Sequence, residues 1–132
     1  MLPPRPYFAA LGDTRSGTQV GLTVWIADYP APSTFLDNFS CDAITLNSPD
    51  NLNPSNFCDR RTERLMAKAA RLEPIDRATA DALWARAERR IVDQAPAVAL
   101  YNAVETELLS ARVGNYQRNP ITGMMIEQAW VR

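Results

Sequence analysis

The sequence contains no histidine. Without imidazole, a Ser or Cys nucleophile lacks its usual activating base, and nickel and zinc lose their commonest nitrogen ligand. Only two cysteines are present, Cys41 and Cys58, and no C-x-x-C pair, so a zinc site is not expected. Neither a G-x-S-x-G elbow nor a phosphate-binding loop occurs, and carboxylates such as Glu105 and Glu107 read as surface charge. No enzyme chemistry is therefore expected, and no cofactor. Long hydrophobic runs are missing as well: nothing approaches the roughly 20 apolar residues of a membrane span. The start, Met1-Leu2-Pro3-Pro4-Arg5-Pro6, lacks the apolar core of a signal peptide and, with the rest of residues 1–18, reads as a linker. Net charge is only −1, which provides no overall electrostatic attraction for nucleic acid or an anionic membrane. Lys68 is the only lysine among fourteen basic residues.

What is present is the composition of one globular domain: 132 residues, 46% hydrophobic and 22% charged. Residues 19–26 alternate, with Val20, Leu22, Val24 and Ile26 on one side and Gln19, Gly21, Thr23 and Trp25 on the other. That period of two predicts a strand with one buried face. Trp25 lies on the opposite face, where it either packs under a covering element or lines a cleft. Pro30 and Pro32 end the strand, and residues 35–57 read as a long irregular connection rich in Asn, Ser, Asp and Pro. Loops of that length are functional or pinned down. The two cysteines lie in this loop-like sequence, either as free thiols or as one disulfide.

Helical signals begin at Asp59, a good N-cap, with Leu65, Met66, Ala69 and Leu72 on one face. Glu73-Pro74 breaks that helix. Asp76 caps a second, whose stripe is Ala80, Leu83, Trp84, Ala87 and Ile91, and Pro96 stops it. Charges off the stripe, including Arg86 and Arg89, read as a solvated face. Short strands are predicted at 97–102 and 108–113, and a last extended segment at 124–131. The fold class is α+β, with two adjacent helices and several short strands.

One stretch carries more than patterning. Trp25-Ile26-Ala27-Asp28-Tyr29-Pro30-Ala31-Pro32-Ser33-Thr34-Phe35-Leu36 resembles the W-x-A-D-Y-P-D-P-x-x-F-L signature of the family 5 extracellular solute-binding proteins. The similarity continues in the family's order through Asn51-Leu52-Asn53, Phe57-Cys58-Asp59, Leu65-Met66-Ala67-Lys68-Ala69, residues 77–91 and 95–101. It closes with Val113-Gly114-Asn115-Tyr116, Asn119-Pro120 and Trp130. Ala31 stands where the family commonly has Asp.

The resemblance implies the oligopeptide- or dipeptide-binding component of an ABC importer, a protein of two lobes closing on a peptide (type II periplasmic-binding-protein-like fold). Residues 19–132 would supply the end of the large C-terminal lobe and the last strands returning across the hinge, so the chain would be a C-terminal fragment. Its partners would be a peptide and, in the intact protein, the importer's permease subunits. Its location would be extracellular or in the cell envelope, which favours a Cys41–Cys58 disulfide. Asp28 matches the aspartate that pairs with the peptide's α-amino group, with Trp25 and Tyr29 beside it as ligand-binding residues. Sugar-binding members of the same family, with a sugar stacking on Trp25, and a structural domain that has lost its ligand are the alternatives. An isolated fragment, with sheet edges left open, would self-associate as a homodimer.

Overall fold

The computed structural model describes residues 4–104 and 106–132. It is a small α+β protein with four α-helices, α1 (Pro4–Gly12), α2 (Ser33–Leu36), α3 (Arg60–Leu72) and α4 (Arg77–Gln94). Two antiparallel ribbons of two-residue strands complete it among the described residues: β1 (Val113–Gly114) with β4 (Trp130–Val131), and β2 (Arg118–Asn119) with β3 (Gly123–Met124). The chain groups into two compact units. One takes in the chain up to Trp25 together with Ala31–Val98, and the other takes in Ile26–Pro30 and Ala99–Arg132.

The first unit is built on the α3–α4 hairpin. Asp59 starts α3 by accepting the N–H groups of Arg61 and Thr62, and Asp76 starts α4 by accepting that of Thr79. Each carboxylate satisfies donors that the first helical turn leaves without intrahelical partners. The link between the helices is short because the Asp76 and Ile75 N–H groups both return to the Leu72 carbonyl. Ala95 closes α4 in the left-handed conformation, with Pro96 next. Met66 and Ala69 of α3 pack against Leu83, Trp84 and Ala87 of α4, and Leu36, Leu65 and Leu72 border this core. Every residue of the α4 stripe expected from the sequence is buried.

The segment between α2 and α3 opens with a 3-10 turn at Asp37–Phe39 and is otherwise irregular but pinned. Cys41 and Cys58 form a disulfide with their Cα atoms 4.7 Å apart. Asn53, fully buried, donates to the Ser40 and Phe57 carbonyls and accepts from the Ser55 hydroxyl. Asn51, also buried, accepts from the Thr45 and Asn53 N–H groups and donates to the Gly12 carbonyl at the end of α1. Two amide side chains thereby replace the backbone ladder that this segment lacks.

Several expectations change. Residues 1–18, read as a linker, include helix α1 and a 3-10 turn at Thr14–Ser16. The strand expected at 19–26 does not form. Residues 17–27 run without a turn or bend but without a ladder partner, and Val20, Leu22, Val24 and Ile26 are all exposed. Alternation specifies which side of a strand would be buried; it cannot supply the neighbouring strand. Helix α1 takes that place in part: the Tyr7 hydroxyl accepts from the Leu22 N–H at 2.6 Å and donates to the Leu22 carbonyl at 2.8 Å. Gly21 lets Leu11 pack close, since a Cβ there would sit 2.1 Å from a Leu11 methyl, which would have to shift.

In the second unit, residues 97–102 are also without ladder partners, and the 108–113 strand shrinks to β1. The last segment is interrupted by a 3-10 turn at Ile126–Gln128, with Met124 at the end of β3 paired to β2 and β4 paired to β1. Trp130 lies across Gly114, its register partner, where any side chain would clash with the indole. The Arg132 guanidinium stacks 5.1 Å from the centre of that ring.

Candidate functional site

The residues expected to meet a ligand fall on one short stretch. Trp25 lies near the end of the turn-free run of residues 17–27, and residues 28–31 bend. The bend has a local cause: Pro30 and Pro32 fix their own φ angles and contribute no N–H. It leads directly into α2, where the Thr34 N–H bonds to the Ala31 carbonyl and the Phe35 and Leu36 N–H groups to that of Pro32. Trp25 is 45% exposed, Tyr29 is 44% exposed and Asp28 is exposed. Trp25 belongs to the first unit, and Asp28 and Tyr29 to the second. Within five residues the chain thus offers one carboxylate and two partly open aromatic rings. An exposed carboxylate such as Asp28 can accept a charge-assisted hydrogen bond from an ammonium, and each partly open ring by itself offers apolar surface.

Cys41 and Cys58, separated by 17 positions in sequence, are joined, so both are consumed in holding the loop. Glu63 of α3 adds to that anchor by accepting the Cys41 N–H at 2.9 Å. Asp37 nearby, exposed over the residue as a whole, has its carboxyl pushed above the usual range by partial desolvation and by the charge of Glu63. At Asp59 burial also acts to raise the pKa, but four hydrogen bonds outweigh it. The Arg90 guanidinium, the Thr62 hydroxyl, the Arg61 N–H and the Gln94 amide hold this carboxyl far below the usual range. These acids serve the scaffold.

Two features carry no local signal in the sequence. The first is the pair Asn51 and Asn53, which stood only as part of a resemblance; their burial depends on what folds over them, and local composition contains no sign of it. The second is a groove along the α3–α4 hairpin that gathers arginines read as merely solvated. Among the described residues, no group of three or more His, Cys, Asp or Glu side chains is placed to hold a metal ion, and no helix is long and apolar enough to cross a membrane.

No family model matches the chain, and no curated protein or solved structure matches it either. Any function assigned to it therefore rests on its own residues.

Proposed function

We propose that this chain is a peptide-binding segment of an extracellular solute-binding protein that serves an ABC importer, and that its role is binding rather than catalysis. The observation carrying the reading is the Trp25–Asp28–Tyr29 stretch, set in a signature whose other parts follow in order along the chain. Asp28 receives the α-amino group of the peptide, Trp25 forms an apolar wall, and backbone groups hold the rest of the ligand in extended form. Three features support this. All three side chains are accessible. A disulfide fixes the loop between α2 and α3, as suits a protein outside the reducing cytosol. The unpaired, alternating residues 20–26 have the pattern of a strand whose sheet neighbours come from elsewhere in a larger two-lobed protein.

The test compares Asp28→Asn with wild type in the intact parent protein, using calorimetry with free-amine and N-acetylated versions of one peptide. Free-amine peptides should lose about 2–4 kcal/mol of affinity, the range for breaking a buried charge pair, and acetylated peptides should be nearly unaffected. Equal losses for both would assign Asp28 to the bend before α2 and remove the reading. Mass spectrometry of material co-purifying with the parent would identify the peptide.

A further inference from the structure

The net charge of −1 conceals an uneven distribution. Arg61, Arg64, Lys68 and Arg71 recur at three- and four-residue intervals on α3 and therefore share one face. The stripe is about 15 Å long at 1.5 Å per residue. All four are exposed and none forms an ion pair among the described residues; the same holds for Arg86 and Arg89 of α4. The two helices run antiparallel, because Asp59 at the start of α3 bonds to Arg90 and Gln94 near the end of α4. Between them an open groove of about 490 Å³ is lined by Leu65, Ala85, Arg86, Arg89 and Arg90. Arg61 and Lys68 flank Leu65 at i−4 and i+3, which brings the α3 stripe to the same groove.

Like charges at these spacings repel, and that cost is relieved when a polyanion lies over them. We propose that this face of the α3–α4 hairpin docks on an anionic phospholipid surface, with guanidinium groups on the phosphates. Guanidinium binds phosphate oxygens in bidentate fashion, which suits arginine better than lysine, and only Lys68 breaks the arginine set. A bilayer is favoured over single-stranded nucleic acid because no aromatic ring is available on this face for base stacking. The one aromatic residue of the two helices, Trp84, is buried. Leu65, the one large apolar residue lining the groove, is half-buried, so the docking is electrostatic, reversible and sensitive to salt. This inference is independent of the Trp25–Asp28–Tyr29 site.

The test is co-sedimentation of the 132-residue chain with vesicles of phosphatidylcholine alone and of phosphatidylcholine with 30 mole per cent phosphatidylglycerol (about one lipid in three). Binding is expected to the anionic vesicles only, and to disappear as sodium chloride is raised to about 0.5 M, where charges are screened within a few ångströms. Arg64→Glu/Lys68→Glu/Arg86→Glu/Arg89→Glu should weaken it at least about hundredfold, from the known contribution of each basic residue near such a surface. Arg132→Gln, which removes a charge from the second unit, should leave it within about twofold. Circular dichroism checks that the reversed variant keeps its helices. Should it lose them, the single changes Lys68→Gln and Arg89→Gln are measured instead, each expected to cost about fivefold. Absence of binding to anionic vesicles, equal binding to neutral ones, binding unchanged in the reversed or single variants, or competition by oligonucleotide in place of lipid would each overturn the proposal.

Discussion

At the end of the α3–α4 hairpin, the Asp59 carboxylate caps one helix while it grips the other. Its oxygens accept the Arg61 and Thr62 N–H groups and the Arg90 guanidinium, at 2.6 Å for the closest contact, and the side chain is only 18% exposed. A carboxyl whose folded pKa is depressed contributes stability that is complete above its unfolded value of about 4 and is lost as pH falls through the folded value. Asp59→Asn keeps the capping oxygen and removes the charge, so it should cost roughly 1–2 kcal/mol at pH 7. In chemical denaturation, the gap from wild type should begin to close as pH falls below about 4 and keep closing toward the lower folded value. A constant gap across that range would show that the charge contributes nothing.

Asp37 has the opposite sign. Partial desolvation and the neighbouring Glu63 raise its pKa, so its ionisation works against folding and stability is lost as pH rises through the shifted value. Asp37→Asn should therefore raise the melting temperature at pH 7 and have no effect at about pH 3, where the wild-type carboxyl is protonated. A loss of stability at pH 7 would instead reveal a favourable contact of the charged form.

Among the elements, the segment between α2 and α3 depends most on cross-links. Loop entropy assigns the Cys41–Cys58 disulfide about 3 kcal/mol. Thiol titration of denatured, unreduced protein should find no free cysteine, and reduction should lower the melting temperature while α3 and α4 remain helical. Two reactive thiols would contradict the disulfide. Asn53 is a comparable anchor without covalent chemistry: Asn53→Ala leaves the Ser40 and Phe57 carbonyls without their donor, at a cost of roughly 2–3 kcal/mol for buried groups left unmade. A denaturant titration showing less than about 0.5 kcal/mol would mean that water replaces the amide freely.

The whole molecule pairs a well-packed helical hairpin with segments that carry strand patterning and have no strand partners. Val20, Leu22, Val24 and Ile26 are exposed, and so are Val98, Leu100, Tyr101 and Val104. Uncharged, proline-free stretches such as residues 19–27 recruit other chains. The chain at tens of micromolar is expected to self-associate in sedimentation equilibrium, and Val24→Lys should shift it toward monomer. A monomer across the whole concentration series would show that Tyr7 and helix α1 suffice to protect this edge.

Helices α3 and α4 were legible residue by residue, from Asp59 and Asp76 through the buried stripe to Pro96. Capping bonds span three residues and a helical face repeats every 3.6, so everything that specifies such an element lies within its own sequence. The α+β class followed from the same signals. The strand at 19–26 was misread because pairing is not a local property: period-two alternation is necessary for a half-buried strand, but a ladder requires a second backbone at about 4.8 Å. Likewise, no local pattern distinguishes the buried Asn51 and Asn53 from the other asparagines of their loop, or the arginines of a shared groove from those of two separate solvated faces. Both distinctions arise only when distant segments meet, where burial removes water from an amide and the antiparallel packing of two helices sums charges that sequence lists far apart.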